Sequence, residues 1–371
     1  MRSGADNPPL SGPFTRPLAE RLSNRDTNLN LIRATAAWAV LVSHAWPLAL
    51  GGDAIQPLEG TLGYPLGRIA VLVFFAASGY LITSSYARTP DLGTFLRARF
   101  ARLMPGLAVS LLIVALVIGP MVSDLPASTY FSRPETWTFL VANILLFKIQ
   151  FDLPGVFTTN PYPAVEGSLW TLFYEVVCYG GVALAGVTGL LRRRGAATLV
   201  LAAWLLGSGY ADGSDIRTFY QLDQIFALSQ PFVIGMLLFL WRDRVPANSL
   251  LLAALAAAAW AAGGTWAWPL FLNLTIGYGT ILLAVWPEGA VRRYNRLGDY
   301  SYGIYIYAFP MQGLAVWAFG PMTPLQNILL SVPPTLVLAL LSWHLIERPA
   351  LDWAQRSRRR GPMAAARGNE G

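Results

Sequence analysis

Long apolar runs recur along this entire chain, and they restrict it to folds that a membrane can accommodate. Eleven runs lie near residues 29–50, 67–86, 104–122, 137–149, 167–190, 196–210, 224–241, 248–264, 267–287, 300–319 and 325–347. Charged residues make up 13% of the chain, whereas soluble domains contain about 25%. The pattern predicts an all-α fold, a polytopic membrane bundle of helices.

The charges between the runs predict how the chain crosses the membrane. The run at 137–149 is too short for a hydrocarbon core of ~30 Å, so we predict a re-entrant or interfacial segment there. The ten remaining runs place one set of arginine clusters on a single side: 88–102, 192–194, 242–244, 292–296 and 356–360. Because basic residues favour cytoplasmic loops, we predict about ten transmembrane helices with both termini cytoplasmic.

Two polar tails flank the predicted membrane domain. Residues 1–28 hold four arginines and no apolar run, so we predict a cytoplasmic N-terminal tail. Residues 29–349 form the membrane domain, and residues 350–371 form a basic cytoplasmic C-terminal tail. The net charge of +7 is explained by the basic loops, so we expect membrane lipids and no nucleic acid as partners.

Metal chemistry is not expected in this chain. The single cysteine, Cys178, excludes an internal disulfide and a cysteine-based metal cluster. Two histidines are too few for a histidine-rich site. We therefore expect no metal and no permanently bound cofactor.

Two ionisable residues, Arg33 and His44, lie inside the first apolar run. An ionisable group at bilayer depth is costly and is usually paired or functional. Eleven residues along a helix correspond to about 20° of rotation and roughly 16 Å of rise, so both side chains share a face. They predict a polar path through the protein; the alternative is a snorkelling arginine and a structural histidine.

Glu175 is predicted to be a buried partner of His44. The segment from Gly167 to Glu175 enters the membrane from outside, which gives Glu175 a depth comparable to that of His44. A carboxylate that holds a ring nitrogen orients the imidazole and raises its basicity. The inference rests on matched depth alone.

Three other features have both a functional and a structural interpretation. Arg99 and Arg102 share a helix face at the inner mouth of the third run, where they suit a phosphate-bearing ligand or simply set topology. Ser78 and Gly79 allow close helix packing or a gap for a ligand chain. Tyr302 opens a run at the inner face, where tyrosines commonly act as interfacial anchors.

Taken in chain order, these motifs resemble acyltransferase family 3, the integral-membrane O-acyltransferases typified by bacterial O-antigen acetylases. The resemblance covers roughly residues 26–352. It rests on Arg33 with His44, Phe74–Tyr80, Arg99 with Arg102, Gly167–Glu175 (which contains Trp170), Leu297–Tyr305 and Glu347–Pro349. Many members have a second histidine near position 308; this chain has Ala308, so His44 is expected to be the working histidine.

The resemblance implies transfer of an acetyl or short acyl group from cytosolic acyl-CoA to a hydroxyl of an envelope or surface glycan, in the bacterial inner membrane. Acyl-CoA is then a donor substrate, and the acceptor is a polysaccharide, a lipopolysaccharide or a lipid-linked oligosaccharide. The implied roles are catalysis for His44 and Glu175, donor binding for Arg33, Arg99, Arg102, Ser78 and Gly79, and substrate binding for Trp170 and Tyr302.

Other function classes remain open from the residues alone. A transporter or flippase of a lipid-linked sugar also uses buried His, Arg and Glu as a proton or substrate path. Turnover of acyl-CoA distinguishes the two, because a transporter would not cleave the thioester. A non-catalytic membrane sensor would gain nothing from these buried ionisable groups.

Overall fold

The computed structural model describes residues 17–21, 27–214 and 219–359. Most of the predicted N-terminal tail and the end of the predicted C-terminal tail therefore lie outside the described residues. The described residues form helices and connecting loops, with two isolated β-bridges and no longer strand.

Twelve helices of at least twelve residues lie in the described ranges, and the first eleven of them are numbered here. They are α1 (Leu29–Leu50), α2 (Leu66–Arg88), α3 (Leu92–Ile113), α4 (Pro134–Leu145), α5 (Trp170–Val187), α6 (Arg194–Gly213), α7 (Tyr220–Leu240), α8 (Ser249–Ala261), α9 (Trp268–Val285), α10 (Ser301–Phe319) and α11 (Pro324–Ser342). A π-helical turn at Val114–Ile118 extends α3 to Val122, and another at Trp343–Glu347 links α11 to a last helix, Arg348–Arg359.

Several of these helices are suited to a membrane. Six stretches are long and apolar enough to cross one: Leu66–Arg88, Leu92–Val122, Trp170–Val187, Tyr220–Leu240, Trp268–Val285 and Pro324–Arg356. The predicted short run at 137–149 corresponds to α4, a helix of 12 residues. The protein is thus a helical, multi-pass membrane protein, while ten spans and cytoplasmic termini stay predictions.

Helix α2 occupies the centre of the bundle and packs on α1, α5, α7 and α9. Its contact with α7 is made by backbone: a Cβ at Gly79 would lie 1.9 Å from the carbonyl oxygen of Phe232, and one at Gly235 would lie 2.2 Å from that of Ala76. Small residues permit this close approach of two helices. The position of Gly79 therefore favours the packing interpretation of that residue.

The Gly79→Ala substitution is expected to destabilise the fold, because the added methyl group meets backbone that cannot rotate away. Overpacking of this kind typically costs about 1–3 kcal/mol. The matched control is Gly180→Ala in α5, where a Cβ meets no atom within 4 Å. We expect a lower unfolding midpoint in detergent for Gly79→Ala alone; equal midpoints for the two variants would contradict the close contact.

Candidate active site

A first cavity, here named the arginine cavity, collects six of the predicted site residues. Its volume is about 120 Å³. The six residues come from five helices or their ends: Arg33, Ser78, Arg99, Arg102, Glu175 and Tyr302. Apolar side chains that include Phe74, Phe75 and Leu172 complete the walls. The structure thus brings together residues that are up to 269 positions apart.

Two arginines of this cavity belong to a buried ion-pair network. Asp299, just before α10, pairs with Arg33 of α1 and with Arg102 of α3, the latter at 2.7 Å. Arg102 also pairs with Glu347 at 3.1 Å. Ser301 donates a hydrogen bond to the other oxygen of Asp299 at 2.5 Å. The network ties α1, α3, α10 and the extension of α11 together.

The pKa of Asp299 shows which charges dominate in this network. Burial by itself would raise the pKa of Asp299, but the guanidinium groups of Arg102 and Arg33 outweigh it and lower that pKa to about 2. Two arginines therefore face two carboxylates at this place, and much of the charge of Arg33 and Arg102 is already compensated.

Arg99 differs from its neighbours because it forms no ion pair with any described residue. Its guanidinium carbon lies 5.8 Å from the ring centre of Tyr179 and 5.9 Å from that of Phe95. Its Nε is buried without a hydrogen-bond partner. Of the three arginines predicted to bind the donor, Arg99 is the one that forms no ion pair within the described residues, and Glu175 is the carboxylate that shares its cavity.

Glu175 lies in the arginine cavity and does not contact His44. Its Oε1 accepts hydrogen bonds from Ser78 at 3.1 Å and from Tyr179. The Nδ1 of His44 is buried and has no partner among the described residues. The expected pair of His44 and Glu175 is therefore not formed. Trp170, five residues earlier on α5, lines the cavity of His44, whereas Glu175 lines the arginine cavity further along the helix.

His44 lines a second cavity of about 340 Å³, here named the histidine cavity. Trp170, Arg68, Tyr64 and Gln56 line it as well. The half-buried imidazole meets the ring of Phe309 edge-on, with 5.3 Å between ring centres. The imidazole thus lines a space large enough for a sugar unit, while its Nδ1 is enclosed by protein.

The two cavities share a wall made by Val71, Thr171 and Tyr305. The hydroxyl oxygens of Thr171 and Tyr305 are 2.5 Å apart, and the Tyr305 hydroxyl donates to the carbonyl of Ser168 at 2.7 Å. Because Arg33 and His44 both lie on α1, that helix runs from one cavity to the other. A continuous polar path between the two cavities stays a prediction.

The remaining predicted site residues, Trp170, Tyr302 and Gly79, lie at three different places in the structure. Trp170 lines the histidine cavity, whereas Tyr302 lines the arginine cavity and donates to the carbonyl of Leu103 at 2.8 Å. Gly79 does not line either cavity and instead lies against α7. The two residues expected to bind one substrate are thus in different cavities.

Sequence reasoning did not assign roles to four residues that the structure makes prominent. They are Arg68, Asp299, Tyr305 and Glu347. Three of them lie inside motifs that the family resemblance had already marked, at Leu297–Tyr305 and Glu347–Pro349. That resemblance was the available signal; nothing comparable marked Arg68.

Comparison with known proteins agrees with the family resemblance of the sequence motifs. A family model described as an acyltransferase domain, Acyl_transf_3, matches residues 26–346. The O-acetyl transferase of Shigella phage Sf6 is 28% identical over 328 residues, which cover 85% of this chain and 93% of that protein. Nodulation protein 10 of Rhizobium leguminosarum bv. viciae is 29% identical over 361 residues, covering 90% and 96%. No solved structure matches the chain.

The family match covers most of the chain, including the whole histidine cavity and the ion pairs of Asp299 with Arg33 and Arg102. Glu347 lies one residue beyond the matched range. Most of the motifs that suggested the family surround these cavities. This membrane protein is therefore an acyltransferase and belongs to acyltransferase family 3.

Proposed function

We propose that this protein transfers an acetyl or other short acyl group from cytosolic acyl-CoA to a hydroxyl of an envelope or surface glycan, as an O-acyltransferase of the bacterial inner membrane. The observation that carries the proposal is the pair of cavities with a common wall. One is lined by Arg99, which forms no ion pair with a described residue, and the other is lined by the imidazole of His44. A relative called an O-acetyl transferase favours acetyl as the group transferred.

The arginine cavity is proposed as the donor site. Its volume of about 120 Å³ is well below the ~300–1,000 Å³ of pockets that enclose whole drug-sized ligands. It therefore encloses only part of the donor molecule, and the rest of the donor lies outside it. Arg99 would bind a donor phosphate, since a guanidinium fork matches phosphate oxygens. The predicted topology opens this site to the cytoplasm, where acyl-CoA is found.

The histidine cavity is proposed as the acceptor site, with Trp170 among its walls. His44 would take the proton of the acceptor hydroxyl as the oxygen attacks the thioester carbonyl. The C–S bond breaks, the acyl group remains on the acceptor oxygen, and the proton passes to the departing CoA thiolate. An acyl-His44 intermediate is an alternative route with the same products.

The common wall has a chemical use in this scheme. Acyl transfer requires the thioester and the hydroxyl to meet, so the reacting groups must come together near Thr171 and Tyr305. The surrounding apolar side chains would exclude water and protect the thioester from hydrolysis. Glu175 is not needed to orient His44 and would instead fix Ser78 and Tyr179 beside the donor.

The test follows a labelled acetyl group. Purified protein in nanodiscs receives acetyl-CoA labelled in the acetyl group, together with an extract of envelope glycans. We expect label to appear on glycan hydroxyls as an ester and an equal amount of free CoA to form. Release of all the label as free acetate would contradict the glycan acceptor, and an absence of CoA release would contradict the donor.

The Arg99→Gln variant is expected to raise the KM for acetyl-CoA about tenfold, with a smaller change in the KM for the acceptor. The estimate corresponds to the loss of one charged hydrogen bond, about 1.4 kcal/mol. Arg97→Gln is the matched control, because Arg97 lies on the same helix and lines neither cavity. Equal donor KM values for the two variants would remove Arg99 from the donor site.

A further inference from the structure

Arg68 is a cation in the histidine cavity that the proposed reaction does not use. It lies in the first turn of α2 and lines the same cavity as His44 and Trp170. Its guanidinium carbon is 4.5 Å from the centre of the Tyr64 ring, over its face. A guanidinium is planar, and one that lies over an aromatic ring still has N–H groups at its edge for hydrogen bonds.

The charge of Arg68 has no counterion among the described residues. Arg33 and Arg102, in the other cavity, are compensated by Asp299 and Glu347. Arg68 forms no ion pair with a described residue, and its buried Nε has no hydrogen-bond partner there. A partly desolvated charge without a partner is costly, and such groups are usually paired when the site is occupied.

No neighbouring carboxylate among the described residues pairs with Arg68 either. Asp212 of α6 raises the pKa of the neighbouring Tyr64, after the larger effect of burial. The Asp212 carboxylate accepts a hydrogen bond from Gln230 at 3.3 Å. It is not within ion-pair distance of Arg68 in the structure. The Asp212 carboxylate is therefore engaged by Gln230 of α7.

The backbone adds to the positive potential around Arg68. The N-terminus of a helix carries partial positive charge, which disfavours a cation and favours an anion in the first turn. Pro65 and Gly67, at the start of the 23-residue α2, line the same cavity. A guanidinium and a helix N-terminus facing one space make that space selective for an anion.

From these observations we infer that the histidine cavity binds an acceptor whose sugar carries an anionic group, a carboxylate or a phosphate, close to the hydroxyl that is acylated, with Arg68 as its counterion. The inference rests on the proposed function, in which this cavity is the acceptor site. It narrows the acceptor from glycans in general to acidic sugars or phosphate-linked sugars. Trp170 and Tyr64 would contact the apolar faces of the ring.

Binding of small probes tests the inference without requiring turnover. Purified protein in nanodiscs is titrated with methyl glucuronide, glucose 1-phosphate and the neutral methyl glucoside, and the unfolding midpoint is measured, since a bound ligand raises it. We expect at least one anionic probe to raise the midpoint more than the neutral probe does. Preference for the glucuronide indicates an acidic sugar, and preference for the phosphate indicates a phosphate-linked sugar. Equal shifts for all three overturn the inference.

Variants assign the effect to Arg68. Arg68→Gln is expected to abolish the anion preference, and Arg68→Lys is expected to retain part of it because the charge remains. Arg133→Gln is the matched control: Arg133 is an exposed arginine beside α4 and lines neither cavity. An anion preference that survives in Arg68→Gln overturns the inference.

The labelled-acetyl assay separates this inference from the proposed function. With an anionic acceptor, Arg68→Gln is expected to raise the acceptor KM about ten- to a hundredfold and to leave the acetyl-CoA KM unchanged. Selective anion binding without any CoA release supports the anion site and contradicts the proposed function. CoA release with equal use of neutral and anionic sugars supports the proposed function and overturns the anion site.

Discussion

The His44→Ala variant should lose at least about a hundredfold in the rate of acyl transfer while remaining folded. General-base catalysis by a positioned side chain contributes about 10²–10⁴ in rate. The half-buried imidazole lies edge-on to Phe309 and lines the cavity proposed for the acceptor, where a base for the entering hydroxyl is required. The measurement is CoA release from acetyl-CoA in the presence of glycan extract, for the wild type and for the variant.

The chain contains its own control for this substitution, because it has a second histidine. His344 lies in the π-helical turn after α11, 3.4 Å from the hydroxyl of Tyr300, and lines neither cavity. We expect His344→Ala to keep near wild-type activity. Unfolding midpoints of both variants show whether a loss of rate is a loss of fold. A folded His44→Ala protein with wild-type rates would exclude His44 as the base.

The residues of the arginine cavity were largely predictable from the sequence. Apolar periodicity fixes where long helices lie, and helix geometry then fixes which side chains share a face. Arg99 and Arg102 do line one cavity, as their spacing of three predicts. Arg33 and His44 line two cavities with a common wall, as their spacing of eleven on one helix allows.

The rotation of a helix about its own axis could not be predicted in the same way. Ser78 and Gly79 are adjacent, yet Ser78 faces Glu175 and Gly79 faces α7, because successive residues on a helix differ by about 100°. The depth of Glu175 was also misjudged, because Trp170, five residues earlier on α5, lines the cavity of His44 and Glu175 lines the other cavity. Neither the direction of a side chain nor its exact depth follows from chain position alone, since both depend on how the helices pack.

The long-range ion pairs also could not be predicted from local sequence patterns. Arg102 pairs with Asp299 and Glu347, which are 197 and 245 residues further along the chain. No periodicity connects positions so far apart, and only the order of family motifs brought them to attention. The same limit applies to Arg68, whose importance appears only when the cavity around it is known.

Replacing Asp299 with alanine should produce the largest loss of stability among these substitutions. It removes the carboxylate that Arg33 and Arg102 share, at a place where all three side chains are less than a fifth exposed. Glu347 still faces Arg102, so Arg33 becomes the uncompensated charge. Breaking a buried pair by removing one partner typically costs about 3–5 kcal/mol. The measurement is the unfolding midpoint in detergent at neutral pH.

The choice of pH follows from the direction of the pKa shift. Burial would raise the pKa of Asp299, but Arg102 and Arg33 lower it to about 2 in the fold, whereas an unfolded aspartate titrates near ~3.9. The stability contributed by the carboxylate is therefore fully present above that value and is lost as the pH falls toward 2. At neutral pH the wild type retains all of it, so the difference from Asp299→Ala is largest there.

A second ion pair provides the control for the Asp299 substitution. Asp243 pairs with Arg194 at the surface, where solvent screens the charges and such pairs contribute little. We expect Asp243→Ala to unfold close to the wild-type midpoint. Asp299→Asn keeps the shape of the side chain and removes its charge, so a midpoint as low as that of Asp299→Ala would assign the stabilisation to charge. If Asp299→Ala unfolded together with Asp243→Ala, the network would not hold α1, α3 and α10 together, and Arg33 and Arg102 would again be available to bind the donor.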